Sequence, residues 1–460
     1  MTRPNITTAA PQAALHRLFW RMHFWAGLIT APIVIFAALT GLLYVFSPQI
    51  EAWRHADVDQ VAVPALAVPR SLDDQVQAAI MAVSPHHPSH PHEGHEGHAG
   101  MTPRHVVPAL RPGETTQVVF RHAGGEHNHA MPQGQTVYVN PYTAEVVGTL
   151  ADMDRFKTWS KNLHSSALQG DGWRWLLELA TSWMLVMLAT GLYLWWPRSA
   201  QEGGPGWRAL LPRWGRGRLT WRDLHASVAI VMSLVFSVVL LTGLTWSKYT
   251  GAQFKSMQKA LHQEAARVPK DLRSQVPPQG QDQALSWQQV HERVLTLRPE
   301  VSVMITPPAD ATAIWRIENF DRSQPTRRFA LALDRYSGQT LFATGWDQMP
   351  LLPRATAVGI PFHRGEFGWW NQALLVLVAL SALFSVISGL VMWWQRRPQG
   401  AIGAPRLARS QVRAVPGWFW LVMAALGYAM PVFGISLLVC LAIEALRLWR
   451  IPLSDPASSV

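Results

Sequence analysis

Four histidines recur at matching points of the chain and carry its main chemical signal. They are His23, His164, His225 and His363. The first and third lie 202 positions apart, and the second and fourth lie 199 positions apart. Each histidine precedes an apolar run that ends in threonine or serine followed by Gly-Leu. A fixed period of this kind indicates an internal repeat. The chain is therefore a tandem duplication of one unit.

Imidazole side chains in this pattern suit a ligand role. Neutral imidazole is a common axial ligand of haem iron, and two imidazoles make a six-coordinate electron-transfer centre. A lone histidine beside an apolar run is more often an interfacial anchor, so that alternative stays open for each residue. Four histidines at matching repeat positions favour ligands.

The apolar runs are long enough to cross a bilayer, which takes about 20 residues. They cover 24–46, 173–196, 226–246 and 369–394. A fifth apolar segment, 417–448, contains Pro431 and is either one kinked helix or a tight pair. The first run lacks a small-x-small cleavage site before Ser47, so we interpret it as a retained anchor and not a signal peptide.

Basic loops predict the orientation. Six arginines lie in 198–222 and five in 395–413, and short basic loops beside spans mark the cytoplasmic side. The net charge of +11 therefore reflects membrane topology and lipid contact, and it gives no reason to expect a nucleic-acid partner. We expect a bacterial inner (cytoplasmic) membrane protein with its N-terminus in the cytoplasm and both long loops in the periplasm.

The predicted fold class is an α-helical membrane protein with a four-helix transmembrane core from a tandem duplication, a C-terminal apolar segment and two α+β outer domains. The predicted order is helix 1 (16–47), first periplasmic domain (48–165), helix 2 (166–197), cytoplasmic loop (198–221), helix 3 (222–247), second periplasmic domain (248–365), helix 4 (366–395), cytoplasmic loop (396–415) and C-terminal membrane segment (416–450).

Each long loop predicts the same small α+β domain. Helices begin at Ser71 and Ser286, where serine is a preferred cap, and run to about Val83 and Leu297. Alternating, strand-like segments follow at 116–121, 136–139, 313–317 and 328–333. Hairpins that begin at Asn140 and Asp334 close the two patterns, 194 positions apart.

The topology assigns the histidines to two levels. His23 and His225 lie at the cytoplasmic face, and His164 and His363 lie at the outer face, in loops before their spans. Facing imidazoles at each level predict two b-type haems that form an electron path across the membrane. His16 lies two turns before His23 on the same helical face and is an alternative ligand.

Two other residues bear on this site. Glu178 lies inside the second span, and an intramembrane carboxylate is a functional candidate. It would couple a proton to electron transfer, bond a haem propionate or the nearby Arg174, or make a structural hydrogen bond to another helix. The single cysteine, Cys440, rules out intrachain disulfides, cysteine-ligated iron–sulfur clusters and c-type haem attachment.

The order of these motifs resembles the PepSY-associated transmembrane family, of the iron-regulated membrane protein and ferric-siderophore reductase type. The matching segments are 22–28 with 39–41, 137–142, 163–164 with 178–179 and 191–197, 222–225, and 363–365 with 389–394. Ala144 departs from the pattern, since the family more usually has glycine there. The resemblance implies an inner-membrane protein with PepSY-like outer domains and, in some members, haem b and reduction of ferric chelates.

Histidine-rich insertions mark the first loop only. Residues 86–98 carry His86, His87, His90, His92, His95 and His98 with two glutamates, and a later turn carries His122, His127 and His129. Imidazole and carboxylate side chains suit divalent metals without selecting one. A solvated tract is the alternative, and both descriptions can hold together.

These features predict a redox protein that reduces a ferric siderophore or another external metal complex. The chain shows no glycine-rich dinucleotide fingerprint, so the electrons would come from a separate cytoplasmic reductase or from membrane quinol. Two alternatives remain: a non-redox regulator whose PepSY-like domains bind a partner, and a periplasmic metal-handling protein that binds Cu, Ni or Zn through the histidine tract.

Overall fold

The computed structural model describes residues 6–84, 102–121, 134–196, 211–215, 217–278, 283–405 and 407–450. They form two compact units. The helical unit lies within 1–42, 164–261 and 368–460, and the sheet unit lies within 43–163 and 262–367. The chain therefore enters the sheet unit twice, once in each half of the duplication.

The helices of the described residues are α1 (Ile6–Val45), α2 (Ser47–Arg54), α3 (Ala56–Asp59), α4 (Leu72–Val83), α5 (Phe156–Ser166), α6 (Arg174–Trp195), α7 (Arg218–Leu244), α8 (Tyr249–Ala260), α9 (Trp287–Leu297), α10 (Leu351–His363), α11 (Trp369–Arg396), α12 (Arg409–Arg413), α13 (Gly417–Ala429) and α14 (Pro431–Trp449). The strands are β1 (His105–Val107), β2 (Thr116–Arg121), β3 (Gly134–Val139), β4 (Val146–Ala151), β5 (Val303–Thr306), β6 (Trp315–Asn319), β7 (Phe329–Leu333) and β8 (Thr340–Gly345).

Five helices in the described part of the chain are long and apolar enough to cross a membrane. They are α1, α6, α7, α11 and α14. The first four correspond to the four predicted apolar runs, with ends that differ by one or two residues where a run extends past its helix. Helix α1 begins at Ile6, well before Phe24, where the apolar run was expected to start. The residues of α1 before that run include four alanines, two leucines and two arginines, which favour helix whether or not lipid surrounds them.

The C-terminal apolar segment is a pair of helices, which decides between the two alternatives. Helix α13 ends at Ala429, and α14 begins at Pro431. Proline lacks the N–H that a helix interior needs but is accepted at a first helical position. The two helices approach closely at glycine, because a Cβ added to Gly434 would lie 2.6 Å from the Gly427 carbonyl oxygen.

The sheet unit contains one continuous antiparallel sheet in the order β4-β3-β2-β1-β5-β6-β7-β8. The predicted helix starts and the four predicted strand segments are found, with each half forming a four-stranded meander. Where two separate domains were expected, β1 pairs with β5 through Val106 and Ile305. This pairing satisfies the backbone edge that each half would otherwise expose. Both halves contribute to one apolar core, which includes Val76 and Val290.

Helices α4 and α9 cap each other's N-termini. The Asp73 carboxylate accepts hydrogen bonds from the backbone N–H groups of Trp287 (2.9 Å) and Gln288 (3.2 Å). In return, the Gln288 side-chain oxygen accepts from the Leu72 N–H at 2.8 Å. The first N–H groups of a helix have no partner inside that helix. The two halves are therefore joined by caps at equivalent helix positions as well as by the sheet.

Asp73→Ala is expected to lower the free energy of unfolding of the protein by about 1–2 kcal/mol, the usual cost of losing a cap. Tryptophan fluorescence during denaturant unfolding of the solubilised protein would measure it. Asp74→Ala is the matched control, because Asp74 lies in the same helical turn and is exposed. Equal losses for the two variants would contradict the proposed cap between the halves.

The two predicted hairpin turns have the same geometry. Asn140 Oδ1 accepts from the Tyr142 N–H, and Asp334 Oδ1 accepts from the Tyr336 N–H, both at 2.9 Å. Ala144 has φ +59° where the second half has Gly338 at φ +67°. The departure of Ala144 from glycine therefore places a side chain in the left-handed region, where glycine alone is unstrained.

Candidate functional site

The four repeated histidines occupy four helices. His23 lies in α1 and His225 in α7, while His164 lies near the end of α5 and His363 ends α10. The last two were expected in loops, and the structure corrects this. Both helices are short, and α10 contains two prolines, so neither has the long apolar period that predicts a helix. A left-handed glycine, Gly170 after α5 and Gly368 after α10, then precedes each span.

A network of charged side chains holds the start of α5. Arg155 donates to Glu51 Oε2 at 2.9 Å and makes a bidentate ion pair with Asp59. The Lys157 N–H donates to Glu51 Oε1 at 2.8 Å. Burial alone would lower the pKa of the Arg155 guanidinium, but its bonds to Asp59 and Tyr138 raise that pKa above the ordinary value. The guanidinium therefore stays charged and fixes the helix that carries His164.

The same network reaches the end of α10. Lys157 Nζ lies 3.2 Å from Glu366 Oε1, and Arg364 pairs with the same oxygen at 2.8 Å. Arg364 Nε also donates to the Tyr44 hydroxyl at 2.9 Å. Within the sheet unit, these ion pairs join the start of α5 to the residues that follow α10.

His23 and His225 are brought together in the helical unit. Their ring centroids lie 6.2 Å apart, and the ring planes are nearly perpendicular, at 81°. His23 was predicted as the ligand in preference to His16, which lies two turns earlier on α1. It is the His23 ring that contacts the ring of His225.

Hydroxyl groups on neighbouring helices contact three of the histidines. His23 Nδ1 lies 3.2 Å from Thr190 Oγ1, His164 Nδ1 lies 2.9 Å from Thr40 Oγ1, and His225 Nδ1 lies 2.9 Å from Ser388 Oγ. These are the threonine and serine residues that precede the repeated Gly-Leu pairs. The repeat made them visible in the sequence, but nothing local showed that they would meet histidines more than 120 positions away.

The repeated glycines face the same rings. A Cβ added to Gly191 would lie 3.2 Å from His23 Cε1, one on Gly41 would lie 3.5 Å from His164 Cε1, and one on Gly389 would lie 4.0 Å from His225 Cε1. In the structure, the group that approaches each of these three is an imidazole.

Gly191→Ala and Gly389→Ala are expected to change stability in opposite directions. Alanine in a helix gains up to about 1 kcal/mol over glycine, and Gly389→Ala should show this gain, because 4.0 Å is an ordinary contact. At Gly191, the 3.2 Å contact would displace the His23 ring, and overpacking typically costs about 1–3 kcal/mol. Thermal unfolding of the two solubilised variants would measure the difference. A stabilised Gly191→Ala variant would show that the ring is not confined.

Glu178 caps a helix. Its carboxylate accepts from the Thr250 N–H at 2.7 Å, the Thr250 hydroxyl at 2.6 Å and the Tyr249 N–H at 3.0 Å. These groups begin α8, and the Glu178 residue is 2% exposed. Arg174 is directed elsewhere, to Asp171 at 3.6 Å and to the Trp246 carbonyl at 3.2 Å. The observed contacts correspond to the structural hydrogen bonding that was one of the alternatives.

A second carboxylate in an apolar helix lies near this site and was not singled out in the sequence. Glu444 on α14 forms an ion pair at 2.5 Å with Arg21, which lies two residues before His23 in α1. It also pairs with Arg447 on its own helix at 2.6 Å. The sequence did carry a signal for this contact. Glu444 is an acid inside an apolar segment, and charged residues inside membrane segments are normally paired, so a basic partner could have been predicted.

The histidine-rich insertion 86–98 and the cluster His122, His127 and His129 lie outside the described residues. Within the residues that are described, no group of three or more histidine, cysteine, aspartate or glutamate side chains is arranged to hold a metal ion.

Comparison with protein families matches residues 20–396 to the PepSY-associated TM region. The chain belongs to this family. A search of curated proteins returned no significant match. Four of the five apolar helices lie wholly or largely within the matched residues, and the chain is a membrane protein with several apolar helices and a β-sheet unit.

The two imidazoles in this PepSY-associated TM region can be compared with the ligand sets of a haem and of a bare metal ion. Two imidazoles that bind one metal from opposite sides have ring centroids roughly 6 Å apart, since a metal–imidazole bond is about 2 Å long. The 6.2 Å observed between His23 and His225 matches that spacing. A protein-held metal ion commonly takes three or four side-chain ligands. Two histidines alone suit a metal whose other positions a macrocycle fills.

Proposed function

We propose that this protein is a di-haem b redox protein of the bacterial inner membrane that passes electrons to the periplasm and reduces a ferric chelate such as a ferric siderophore. The observation that carries the proposal is the His23–His225 pair, whose ring centroids lie 6.2 Å apart, close to the spacing expected of a bis-imidazole centre. When bound, the haems would supply reversible one-electron transfer.

In this proposal, one pair of histidines would bind a haem near the cytoplasmic side of the membrane and the other pair would bind a haem near the periplasmic side. In the proposed topology, α1, α6, α7 and α11 form the transmembrane core, with His23 and His225 as the haem ligands near the cytoplasm. His164 and His363 would be the ligands near the periplasm, as their matching positions in the repeat suggest. The basic segments 198–222 and 395–413 support this orientation.

The sheet unit, with its two PepSY-like halves, would lie in the periplasm and position the ferric chelate. Each iron takes one electron, and the ferrous product binds hard oxygen ligands less strongly, so the metal is released. A separate cytoplasmic reductase or membrane quinol would supply the electrons. The histidine tract 86–98 would bind a divalent metal as an accessory property.

Absorption spectra of the full-length protein purified from haem-replete cells test the proposal. We expect b-type bands that sharpen on reduction and a content of two haems per chain. Deletion of 86–98 should leave the bands unchanged and remove only divalent-metal binding. A folded preparation without pigment would overturn the proposal.

The substrate is tested separately, by mixing the reduced protein with a ferric siderophore and following reoxidation of the haem bands. The gallium complex of the same siderophore is the matched control, because Ga³⁺ has the same charge as Fe³⁺ and nearly the same ionic radius but is not reduced. Reoxidation by the ferric complex alone supports ferric chelate reduction. If neither complex changed the haem bands, ferric chelate reduction would be contradicted, and the protein would be a redox protein with a different electron acceptor.

A further inference from the structure

Three histidines share one contact that the proposed function does not explain. Each imidazole Nδ1 meets a hydroxyl group on another helix: Thr190 for His23, Ser388 for His225 and Thr40 for His164. We propose that these hydroxyls are positioning residues that hold each ring as the Nδ1–H tautomer and thereby set the donor strength of Nε2 and the potential of the bound haem. This inference rests on the proposed function.

The direction of the hydrogen bond follows from the hydroxyl's own proton. Thr190 Oγ1 donates to the Val186 carbonyl at 2.9 Å, and Thr40 Oγ1 donates to the Phe36 carbonyl at 2.7 Å. Ser388 Oγ donates to the Ser385 carbonyl at 3.1 Å. A hydroxyl has one proton to donate and two lone pairs to accept with. Because the helix backbone is an acceptor for that proton, we assign the hydroxyl oxygen as the acceptor and Nδ1 as the donor of the contact between them.

A neutral imidazole that carries its proton on Nδ1 has its lone pair on Nε2. Nε2 is therefore the nitrogen that can bind iron. The small residue after each hydroxyl confines the ring further, most tightly at Gly191, where the Cβ of any larger residue would lie 3.2 Å from His23 Cε1. In this proposal, hydroxyl and glycine together determine both the protonation and the orientation of the ring, which gives a reason for their pairing at Thr190-Gly191, Thr40-Gly41 and Ser388-Gly389.

Donation from Nδ1 changes the metal chemistry at the other nitrogen. A hydrogen bond from the non-ligating N–H of a histidine raises the basicity of the ligating nitrogen, and its loss typically costs 10–100-fold in metal affinity. A stronger donor stabilises the ferric state more than the ferrous state. The hydroxyls should therefore lower the midpoint potential, and their removal should raise it.

The chain supplies matched controls. Thr30 in α1 donates to the Ala26 carbonyl at 2.7 Å, and Thr181 in α6 donates to the Leu177 carbonyl at 2.7 Å. These are the backbone bonds that Thr40 and Thr190 make in the same helices. Replacing Thr30 or Thr181 by valine therefore removes an equivalent hydroxyl that is not bonded to one of the four histidines.

The experiment uses the full-length solubilised protein. Haem affinity and midpoint potential are measured by hemin titration and optical redox titration for Thr190→Val, Ser388→Ala and Thr40→Val. We expect a 10–100-fold loss of affinity and a potential shifted to more positive values. Thr190→Ser and Ser388→Thr should restore both properties. Thr30→Val and Thr181→Val should leave both unchanged.

Three results would overturn the inference while the proposed function stands, provided that the wild-type protein binds two haems. The first is that Thr190→Val and Ser388→Ala keep the wild-type haem affinity and midpoint potential. The second is an equal effect of Thr181→Val and Thr190→Val, and the third is failure of Thr190→Ser to restore the wild-type values; either of these would indicate an effect of general helix packing. A wild-type protein that binds no haem would instead overturn the proposed function. The inference would then fail with it, because the histidines would have no haem to bind.

Discussion

His23→Gln is expected to reduce the haem b content from two to one per chain. The variant removes one of the two rings that lie 6.2 Å apart, and a single imidazole cannot maintain a six-coordinate centre. His225→Gln should have the same effect, because both rings belong to one site. Haem would be quantified by the pyridine haemochrome spectrum against protein concentration.

The pairing can be tested by combining variants. The double variant with His23→Gln and His225→Gln should lose no more haem than either single variant, whereas adding His164→Gln should remove the second haem. His16→Gln is the control within α1, two turns before His23. If His16→Gln lost a haem and His23→Gln kept both, the ligand assignment would be wrong. Additive losses for His23 and His225 would place them in different centres.

Glu178→Ala is expected to lower the free energy of unfolding by about 3 kcal/mol. The carboxylate is buried, and it is the acceptor for two N–H groups and one hydroxyl at the start of α8. Leaving a buried donor unpaired costs about 1–3 kcal/mol, and a negative charge at a helix N-terminus adds to the stabilisation. Circular dichroism during thermal unfolding of the solubilised protein would measure the loss.

Partial variants separate this structural role from proton coupling. Thr250→Val removes one of the three bonds and should cost about 1 kcal/mol. Thr181→Val, on the same helix as Glu178, should cost less, because its hydroxyl bonds the Leu177 carbonyl of its own helix. Glu178→Gln keeps an acceptor oxygen and should be intermediate. A Glu178→Gln variant with unchanged stability but an altered pH dependence of the haem potential would contradict the structural assignment.

Short-range signals in the sequence predicted several elements correctly. Ser71 and Ser286 cap α4 and α9 as expected, because a cap depends on residues three positions apart. The long apolar runs predicted the helices that are apolar enough to cross a membrane. The short helices α5 and α10 were missed, since neither has a long apolar period and α10 contains Pro361. Their positions depend on ion pairs such as Lys157–Glu366, whose partners lie in different halves of the chain.

By itself the sequence determined the duplication, the apolar helices, the candidate histidines and the family, because repeats, motif order and hydropathy can be read along the chain without its three-dimensional arrangement. Only the tertiary structure decided that the two long loops share one sheet through β1 and β5, and that the rings of His23 and His225 lie 6.2 Å apart. It also decided that Thr190, Thr40 and Ser388 meet the imidazoles. These contacts join residues more than 120 positions apart, and their geometry follows from how whole helices and strands pack, which no local pattern specifies.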